Sequence, residues 1–199
     1  VEERPLARVE DQPYIQYQQG SLVFYRLKDV IGEAAVNRAL RRVLARHALR
    51  GPPYPTSLEV VAALRAEAGP EHQALITDLF ERITLYDVRT TAATSRRRAD
   101  GRWDVTLTVD AQKLHADGQG VERPAPLDET VEVGVFLDSP GGRAFEAEDV
   151  VAVERRRLRS GRQTLTLVVD RRPVWAGADP FNTLIDRISD DNVIKVEAD

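Results

Sequence analysis

Hydrophobic positions recur with a helical period over the first part of the chain. Residues 20–31 and 33–47 each carry an apolar stripe at spacings of three and four, the signature of a helix with one buried face. Gly32 stands between the two stripes, as a helix-ending glycine does. The pattern therefore predicts two consecutive helices joined by a very short connection.

Two further helices are predicted before the helical period ends. The proline-rich stretch 51–55 interrupts any helix, and Thr56 and Glu59 then have the spacing of a capping box ahead of a third apolar stripe. A Gly-Pro pair at 69–70 ends that stripe and precedes a fourth, which runs to Ile83. About four antiparallel helices with short connections are the expected arrangement.

From about residue 84 the period changes from helical to two. Between Trp103 and Ala111 apolar residues alternate with aspartate and threonine, which indicates a strand with one solvated face. Strands are predicted near residues 84–97, 102–114, 129–138, 149–159, 162–170 and 173–176. They favour a small antiparallel sandwich of the immunoglobulin-like kind. Residues 179–187 have the pattern of a short capped helix.

The fold class predicted from these periods is α+β. An N-terminal antiparallel helical lobe of about four helices, residues 1–83, is expected to form the end of a larger domain. An immunoglobulin-like β-sandwich, residues 84–178, follows it. Residues 179–199 are expected to form a short C-terminal helix and a tail.

Composition narrows the function classes. Hydrophobic residues make up 42% of the 199 positions and charged residues 30%, as in an ordinary globular protein, and no run is long enough to span a bilayer. A net charge of -4 argues against general nucleic-acid binding, and the lack of cysteine excludes disulfides and thiolate metal sites. The chain begins at Val1 and has no methionine, so we expect a piece of a longer protein.

The histidines do not have the spacing of a zinc site. A zinc peptidase helix needs His-Glu-x-x-His, because residues four apart share one helix face. His47, His72 and His115 are far apart, and each is interpreted as structural: at a helix end, in a first turn and in a loop, respectively. No metal ligands are therefore predicted in this chain, and no serine-nucleophile or phosphate-loop motif is present.

Arginine clusters occur at residues 96–98 and 155–157, the second with Arg159 and Arg162 nearby. On strands, neighbouring side chains point to opposite faces, so three consecutive arginines do not form one continuous patch. A solvated sheet face, or a sheet edge guarded by charge, is the expected role. Nucleic-acid binding is the alternative.

Tyr17 is the candidate catalytic residue. It lies three residues before Gly20, at the start of the first helical stripe. A phenol stays protonated at neutral pH and can donate a hydrogen bond to the oxyanion that develops during peptide hydrolysis. Gly20 would support the substrate cleft by allowing close packing behind the tyrosine. A half-buried aromatic residue bonded to the backbone is the other interpretation of Tyr17.

The segment around Tyr17 resembles the tyrosine segment of the M1 family of zinc aminopeptidases, where Tyr-Glu-Lys-Gly usually precedes a buried helix. The similarity includes residues 13–23 and 27–33. Further stretches resemble a bacterial branch in which the peptidase is fused behind the membrane segments of an ABC-type permease, at 52–57, 79–87, 127–128, 131–136, 178–182 and 190–192.

This resemblance implies that the chain is the C-terminal part of an aminopeptidase whose zinc ligands and general base precede Val1. Of the family's functional residues, the resemblance assigns only the catalytic tyrosine to this chain, at Tyr17. Gln18 and Gln19 replace the Glu-Lys pair that usually follows it. The implied partners are a peptide substrate and the rest of the parent chain. Zinc is expected in the parent, the isolated fragment is expected to be inactive, and the parent would lie in the bacterial membrane with this part in a soluble domain. The alternative is a non-catalytic interaction module.

Overall fold

The computed structural model describes residues 2–198 and has an α+β fold, as the sequence predicts. The chain forms two compact units. A helical unit contains the residues up to Thr84 together with His115–Arg123, and a β unit contains Leu85–Leu114 and the residues from Pro124 onward. Among the described residues, no helix combines the length and the apolar character needed to cross a membrane.

The helical unit contains the predicted apolar helices. The α-helices are α1 (Gly20–Ile31), α2 (Glu33–His47), α3 (Ser57–Glu67) and α4 (Gln73–Ile76). A π-helical segment, Tyr14–Gln19, leads into α1. The fourth predicted helix is a composite, because α4 lies between a 3-10 turn at Pro70–His72 and a π-helical turn at Thr77–Glu81. A further 3-10 turn covers Leu6–Arg8.

Two local signals shape the helix ends as predicted. Gly32 has φ +87° and ψ 146°, a conformation open to glycine but strained for other residues, and it redirects the chain from α1 into α2. At the start of α3, the Thr56 and Glu59 side chains each accept a hydrogen bond from the other residue's backbone amide, which confirms the capping box.

Gln73 closes the other end of α3. Its Nε2 donates to the carbonyl oxygens of Arg65, Ala68 and Gly69 at 3.0, 3.2 and 3.3 Å, where the helix can no longer satisfy them. In return the Arg65 guanidinium donates to the Gln73 carbonyl oxygen at 3.0 Å and to Thr77 Oγ1 at 2.8 Å. The corner between α3 and α4 is therefore fixed by side chains.

The strands form two sheets. Their bounds are β1 (Ile83–Arg97), β2 (Trp103–Ala116), β3 (Glu122–Ala125), β4 (Asp128–Phe136), β5 (Val150–Arg159), β6 (Gly161–Val169), β7 (Trp175–Ala178), β8 (Val193–Lys195) and β9 (Glu197–Ala198). One sheet has the order β3-β2-β1-β9, with β6 also paired to β2; the other has the order β5-β4-β7-β8. The pairs β2–β6, β4–β5, β4–β7 and β7–β8 are antiparallel, and β1 pairs with β9 in parallel.

The apolar residues that alternate along the strands form one hydrophobic core. Val105, Leu107 and Val109 of β2 are fully buried, and they belong to the same buried cluster as Val133 and Val135 of β4. Because β2 and β4 lie in different sheets, the two sheets share this core. Burial of such apolar surface is the main stabilising contribution to the unit.

Residues 179–187 form turns, so the short helix predicted there is not present. Asp179 and Asn182 have φ of 47° and 52°, left-handed values that a right-handed helix cannot include. The buried Asp179 carboxylate accepts hydrogen bonds from the backbone amides of Thr183 and Leu184 at 2.8 and 3.0 Å. These bonds reach four and five residues ahead, beyond the two or three of a helix N-cap, so the predicted cap is not formed either. The chain then adds β8 and β9 to the sheets.

A polar contact links the sheets inside the β unit. Lys113 of β2 and Glu129 of β4 form an ion pair at 3.2 Å, and both side chains are almost fully buried. The Tyr86 hydroxyl donates to the same Glu129 oxygen at 3.1 Å, and the Lys113 ammonium lies 5.7 Å from the centre of the Tyr86 ring. These three groups compensate one another's loss of hydration.

We expect Lys113→Met to lower the free energy of unfolding by about 3 to 5 kcal/mol, because the change removes the cation that lies 3.2 Å from the almost fully buried Glu129 carboxylate. Denaturant unfolding measures the loss. Arg102→Met is the matched control, since Arg102 pairs with Asp100 on the surface and such pairs contribute about 0 to 1 kcal/mol. Equal effects of the two substitutions would contradict the stabilising role of the buried pair.

Acidic side chains gather where the C-terminal segment runs beside β1. Burial raises the pKa of Asp186, and the like charges of Asp191 and Asp87 add to the increase. Burial also raises the pKa of Asp191, although the nearby Arg89 opposes the increase. The Asp191 Oδ1 atom is buried and has no hydrogen-bond partner among the described residues. The charged form of this carboxyl is therefore disfavoured in the folded state.

A raised folded-state pKa means that the folded protein binds a proton more readily than the unfolded chain. The contribution of Asp191 to stability is therefore greatest below its unfolded pKa and is lost as pH rises through its folded pKa. We expect Asp191→Asn to raise the melting temperature at neutral pH, and the gain to shrink towards about pH 4, where the aspartate is itself protonated. Asp190→Asn, at the exposed neighbouring position, is the control. A gain that does not depend on pH would argue against this explanation.

Candidate functional site

The buried side chain of Gln12 fixes the residues that precede the tyrosine segment. Its Nε2 donates to the Glu2 carbonyl oxygen at 2.7 Å, and its Oε1 accepts from the Arg4 amide at 3.3 Å. Its own carbonyl oxygen accepts from the amides of Ile15 and Gln16 at 3.0 and 3.1 Å. Gln12 therefore joins the N-terminal residues to the first turn of the segment that carries Tyr17.

Tyr17 lies inside the π-helical segment Tyr14–Gln19. Ile15 anchors this segment because its side chain is completely buried, whereas the Tyr17 side chain is 78% exposed. The Tyr17 hydroxyl has no hydrogen-bond partner within the described part of the chain. The interpretation of Tyr17 as a half-buried aromatic bonded to the backbone therefore does not hold. π-Helical turns of this kind are often found at functional sites.

Gly20 is buried at the junction between the π-helical segment and α1. It has an ordinary helical conformation, with φ −57° and ψ −41°, and its amide donates to the Ile15 carbonyl oxygen. A Cβ atom added here would lie 3.7 Å from that oxygen and 3.7 Å from Leu6 Cδ1, which are normal van der Waals distances. The close approach that the sequence analysis assigned to Gly20 is therefore not found.

Other aromatic and apolar side chains are exposed on the same stretch of chain. Tyr14 is 52% exposed, Tyr25 is 47% exposed and Leu22 is 42% exposed. Partial burial raises the pKa of Tyr14, and the nearby negative charge of Glu3 adds to the effect. The Lys28 ammonium lies 5.1 Å from the centre of the Tyr25 ring. Tyr17 thus belongs to an exposed face rich in tyrosine.

Each of the three histidines lies beside a carboxylate. His47 and Glu59 are 3.0 Å apart, and His72 and Glu71 are 3.4 Å apart. The Thr56 amide lowers the pKa of Glu59, and His47 contributes in the same direction. His115 belongs to β2 and not to a loop as predicted. Among residues 2–198, no group of three or more histidine, aspartate or glutamate side chains is placed to hold a metal ion.

Arg96, Arg97 and the second arginine cluster lie on strands, as predicted, whereas Arg98 directly follows β1. Arg98 contacts Asp104 at 2.9 Å, and its pKa is raised mainly by that hydrogen bond. Arg157 of β5 makes a double contact with Asp128, which lowers the pKa of that carboxyl. Arg156 pairs with Glu154 at 2.5 Å along the same strand. Charged pairs on β5, the outer strand of its sheet, agree with an edge guarded by charge.

A cleft in the helical unit was not predicted from the sequence. It has a volume of about 640 Å³ and is lined by the N-terminal residues, by Glu81–Ile83 and by His115–Gly118. His115 Nε2 lies 3.0 Å from Oδ1 of the buried Asp78. The lining comes from three stretches that are far apart in sequence, and no local motif connects them.

No protein-family model and no curated protein sequence matches this chain. Among solved structures, the crystal structure of DesR, a β-glucosidase from Streptomyces venezuelae in complex with D-glucose, matches with 21% sequence identity and a TM-score of 0.28. The match covers 50% of this chain and 14% of that chain, so the chain spans a small part of the enzyme's length. A likeness of this size supports no conclusion about function.

We expect Gly20→Ala to raise the free energy of unfolding by up to about 1 kcal/mol, because alanine loses less backbone entropy on entering a helix than glycine does. The space around the position admits the added methyl group. Denaturant unfolding of the isolated chain measures the change. Gly32→Ala is the contrasting variant and should destabilise, since its φ of +87° strains any residue with a side chain. A destabilised Gly20→Ala protein would restore the close-packing role.

Proposed function

We propose that this chain is the C-terminal part of a zinc-dependent aminopeptidase similar to the M1 family, from the bacterial branch in which the peptidase is attached to an ABC-type permease. The order of the resembling stretches along the sequence supports this proposal. The observation that carries it is the exposed, unpartnered hydroxyl of Tyr17 on an anchored π-helical segment.

Tyr17 acts as the donor that stabilises the oxyanion formed from the scissile carbonyl. Peptide hydrolysis concentrates negative charge on that oxygen in the transition state, so a hydrogen bond there lowers the barrier more than it strengthens substrate binding. A donor for this purpose must be reachable and must not be occupied by an internal acceptor. Tyr17 meets both conditions. Gly20 supports the segment as an ordinary helical residue.

Residues 2–198 do not include a set of side chains that fits a zinc ion. The histidines pair singly with carboxylates, and the described residues include no cluster suited to a metal. In the proposed parent protein, the metal and the general base are supplied by another part of the polypeptide, and the peptide substrate binds between that part and the helices that follow Tyr17. The role of this chain is to contribute the donor and a wall of the cleft.

The β unit serves as a packing scaffold with an immunoglobulin-like sandwich arrangement. Two sheets that share one apolar core support this assignment. In this proposal the parent protein lies in the bacterial cell membrane, and this part belongs to a soluble domain.

The second candidate is a non-catalytic interaction module of a membrane transporter. Exposure of Tyr14, Leu22 and Tyr25 beside Tyr17 favours it, because tyrosine-rich exposed faces are common at protein interfaces. Gln18 and Gln19 also depart from the Glu-Lys pair usual in the peptidases that the segment resembles. In this alternative Tyr17 contributes contact area and not a catalytic hydrogen bond.

Tyr17→Phe in the full-length parent separates the two functions. We expect kcat to fall by about 100- to 1,000-fold, because one oxyanion donor is removed while the ring remains. Hydrolysis of an aminoacyl reporter measures the change. Tyr54→Phe is the matched control, since it removes an exposed hydroxyl from the proline-rich stretch outside the helices, and it should leave kcat unchanged.

The isolated chain is the negative control and should not hydrolyse the reporter. Unchanged turnover in the Tyr17→Phe parent would remove the catalytic role. Weaker association with a partner in the Tyr17→Phe and Tyr25→Phe variants, without a change in turnover, would favour the interaction module.

A further inference from the structure

The cleft of the helical unit combines charges of both signs. Its lining includes Glu2, Glu3, Arg4 and Arg8 from the N-terminal stretch, and Glu81, Arg82, His115 and Asp117 from the two other stretches. Its volume of about 640 Å³ lies within the range of about 300–1,000 Å³ that small-molecule sites occupy. Neither Tyr17 nor Gly20 belongs to its lining.

Some of the charged side chains that line the cleft are already paired with other groups of the protein. The Glu81 carboxylate pairs with Arg65 at 2.9 Å, and Arg82 pairs with Asp78 at 3.4 Å. The Asp117 carboxylate accepts hydrogen bonds from two backbone amides of its own turn, which lowers its pKa. These groups are occupied by structural contacts.

The charged side chains of the N-terminal stretch, by contrast, have no such partners among the described residues. The carboxylates of Glu2 and Glu3 and the guanidinium groups of Arg4 and Arg8 form no hydrogen bond or ion pair with any other described residue. Oppositely charged groups therefore line one cleft without neutralising one another. A simple anion would meet the repulsion of the carboxylates, and a simple cation would meet that of the arginines. A ligand that carries both charges, at separate ends, satisfies both pairs.

His115 adds a fixed polar group to the same cleft. Its Nε2 lies 3.0 Å from the buried Asp78 carboxylate, so in the neutral ring this nitrogen carries the proton and donates it to the carboxylate. Nδ1 is then an acceptor, and it has no partner within the described residues. This acceptor lines the same cleft as the N-terminal charges, and it can receive the N–H group of a peptide bond.

We propose that this cleft binds a short peptide with free ends. Glu2 and Glu3 receive its ammonium group, Arg4 and Arg8 receive its carboxylate, and His115 accepts a hydrogen bond from its amide. The inference is independent of the proposed function, because it uses neither Tyr17 nor a metal, and the isolated chain is sufficient to test it.

Titration of the isotope-labelled chain with alanyl-alanine, followed by NMR, tests the site directly. We expect saturable shifts of the cleft residues, with the His115 ring among them. N-acetyl-alanyl-alanine lacks the ammonium group and alanyl-alaninamide lacks the carboxylate, so each should bind about tenfold more weakly, a difference of about 1.4 kcal/mol.

Paired variants connect each end of the ligand to its side chains. Arg4→Gln with Arg8→Gln should weaken binding of the free dipeptide and leave binding of the amide form unchanged. Glu2→Gln with Glu3→Gln should weaken binding of the free dipeptide and leave binding of the acetylated form unchanged. Arg41→Gln, at an exposed arginine of α2, is the control and should change neither affinity. An unchanged melting temperature confirms that each variant is folded.

Three results would overturn the proposal. The first is the absence of saturable shifts with the dipeptide. The second is equal binding of the free and blocked forms, which would mean that the charged ends are not recognised. The third is equal binding of inorganic phosphate, which would identify a site for anions alone.

Discussion

This chain depends on satisfying the backbone groups that have no partners at the ends of secondary structure. Polar side chains that are partly or fully buried bond to them. Gln12 does so ahead of the tyrosine segment, Gln73 at the end of α3, and Asp179 where the chain leaves β7. Each replaces hydrogen bonds that water would otherwise supply. Loss of such a side chain leaves buried donors or acceptors unpaired, which costs about 1 to 3 kcal/mol for each group.

The same constraint explains which parts of the fold could be predicted. Apolar periodicity records which face of an element is buried, so α1, α2 and the strands from β1 to β6 were found close to their observed bounds, apart from the short β3. The capping box at Thr56 uses neighbouring residues and could be read locally. The failures lie at Asp179 and His115. The Asp179 amide donates to the Glu132 carbonyl oxygen, and the His115 ring contacts Asp78. Both partners are far away in the sequence, so a local sequence window does not contain them.

The candidate sites differ in the same way. Tyr17 could be singled out because its motif occupies consecutive residues, but its exposure and the π-helical turn depend on Ile15 being buried and on Gln12 reaching Glu2. The role given to Gly20 came from its place three residues after Tyr17. Its ordinary φ and contact distances show no close packing behind the tyrosine, and the support of a substrate cleft stays a prediction. The peptide-binding cleft could not be predicted from the sequence, since its lining is brought together from three separate stretches.

Catalysis and docking make different demands on an exposed tyrosine. A catalytic donor must be held where the oxyanion forms, since the benefit of preorganisation is lost if the hydroxyl has to be ordered during the reaction. In this chain the backbone of Tyr17 is fixed through Ile15, yet the ring is 78% exposed. The walls that would hold the ring must therefore come from the surface that covers it. If that surface carries the metal site, Tyr17 is ordered as a donor by the same contact that completes the active site. If that surface belongs to a binding partner, the same contact buries the ring, and the Tyr17 hydroxyl has no catalytic role.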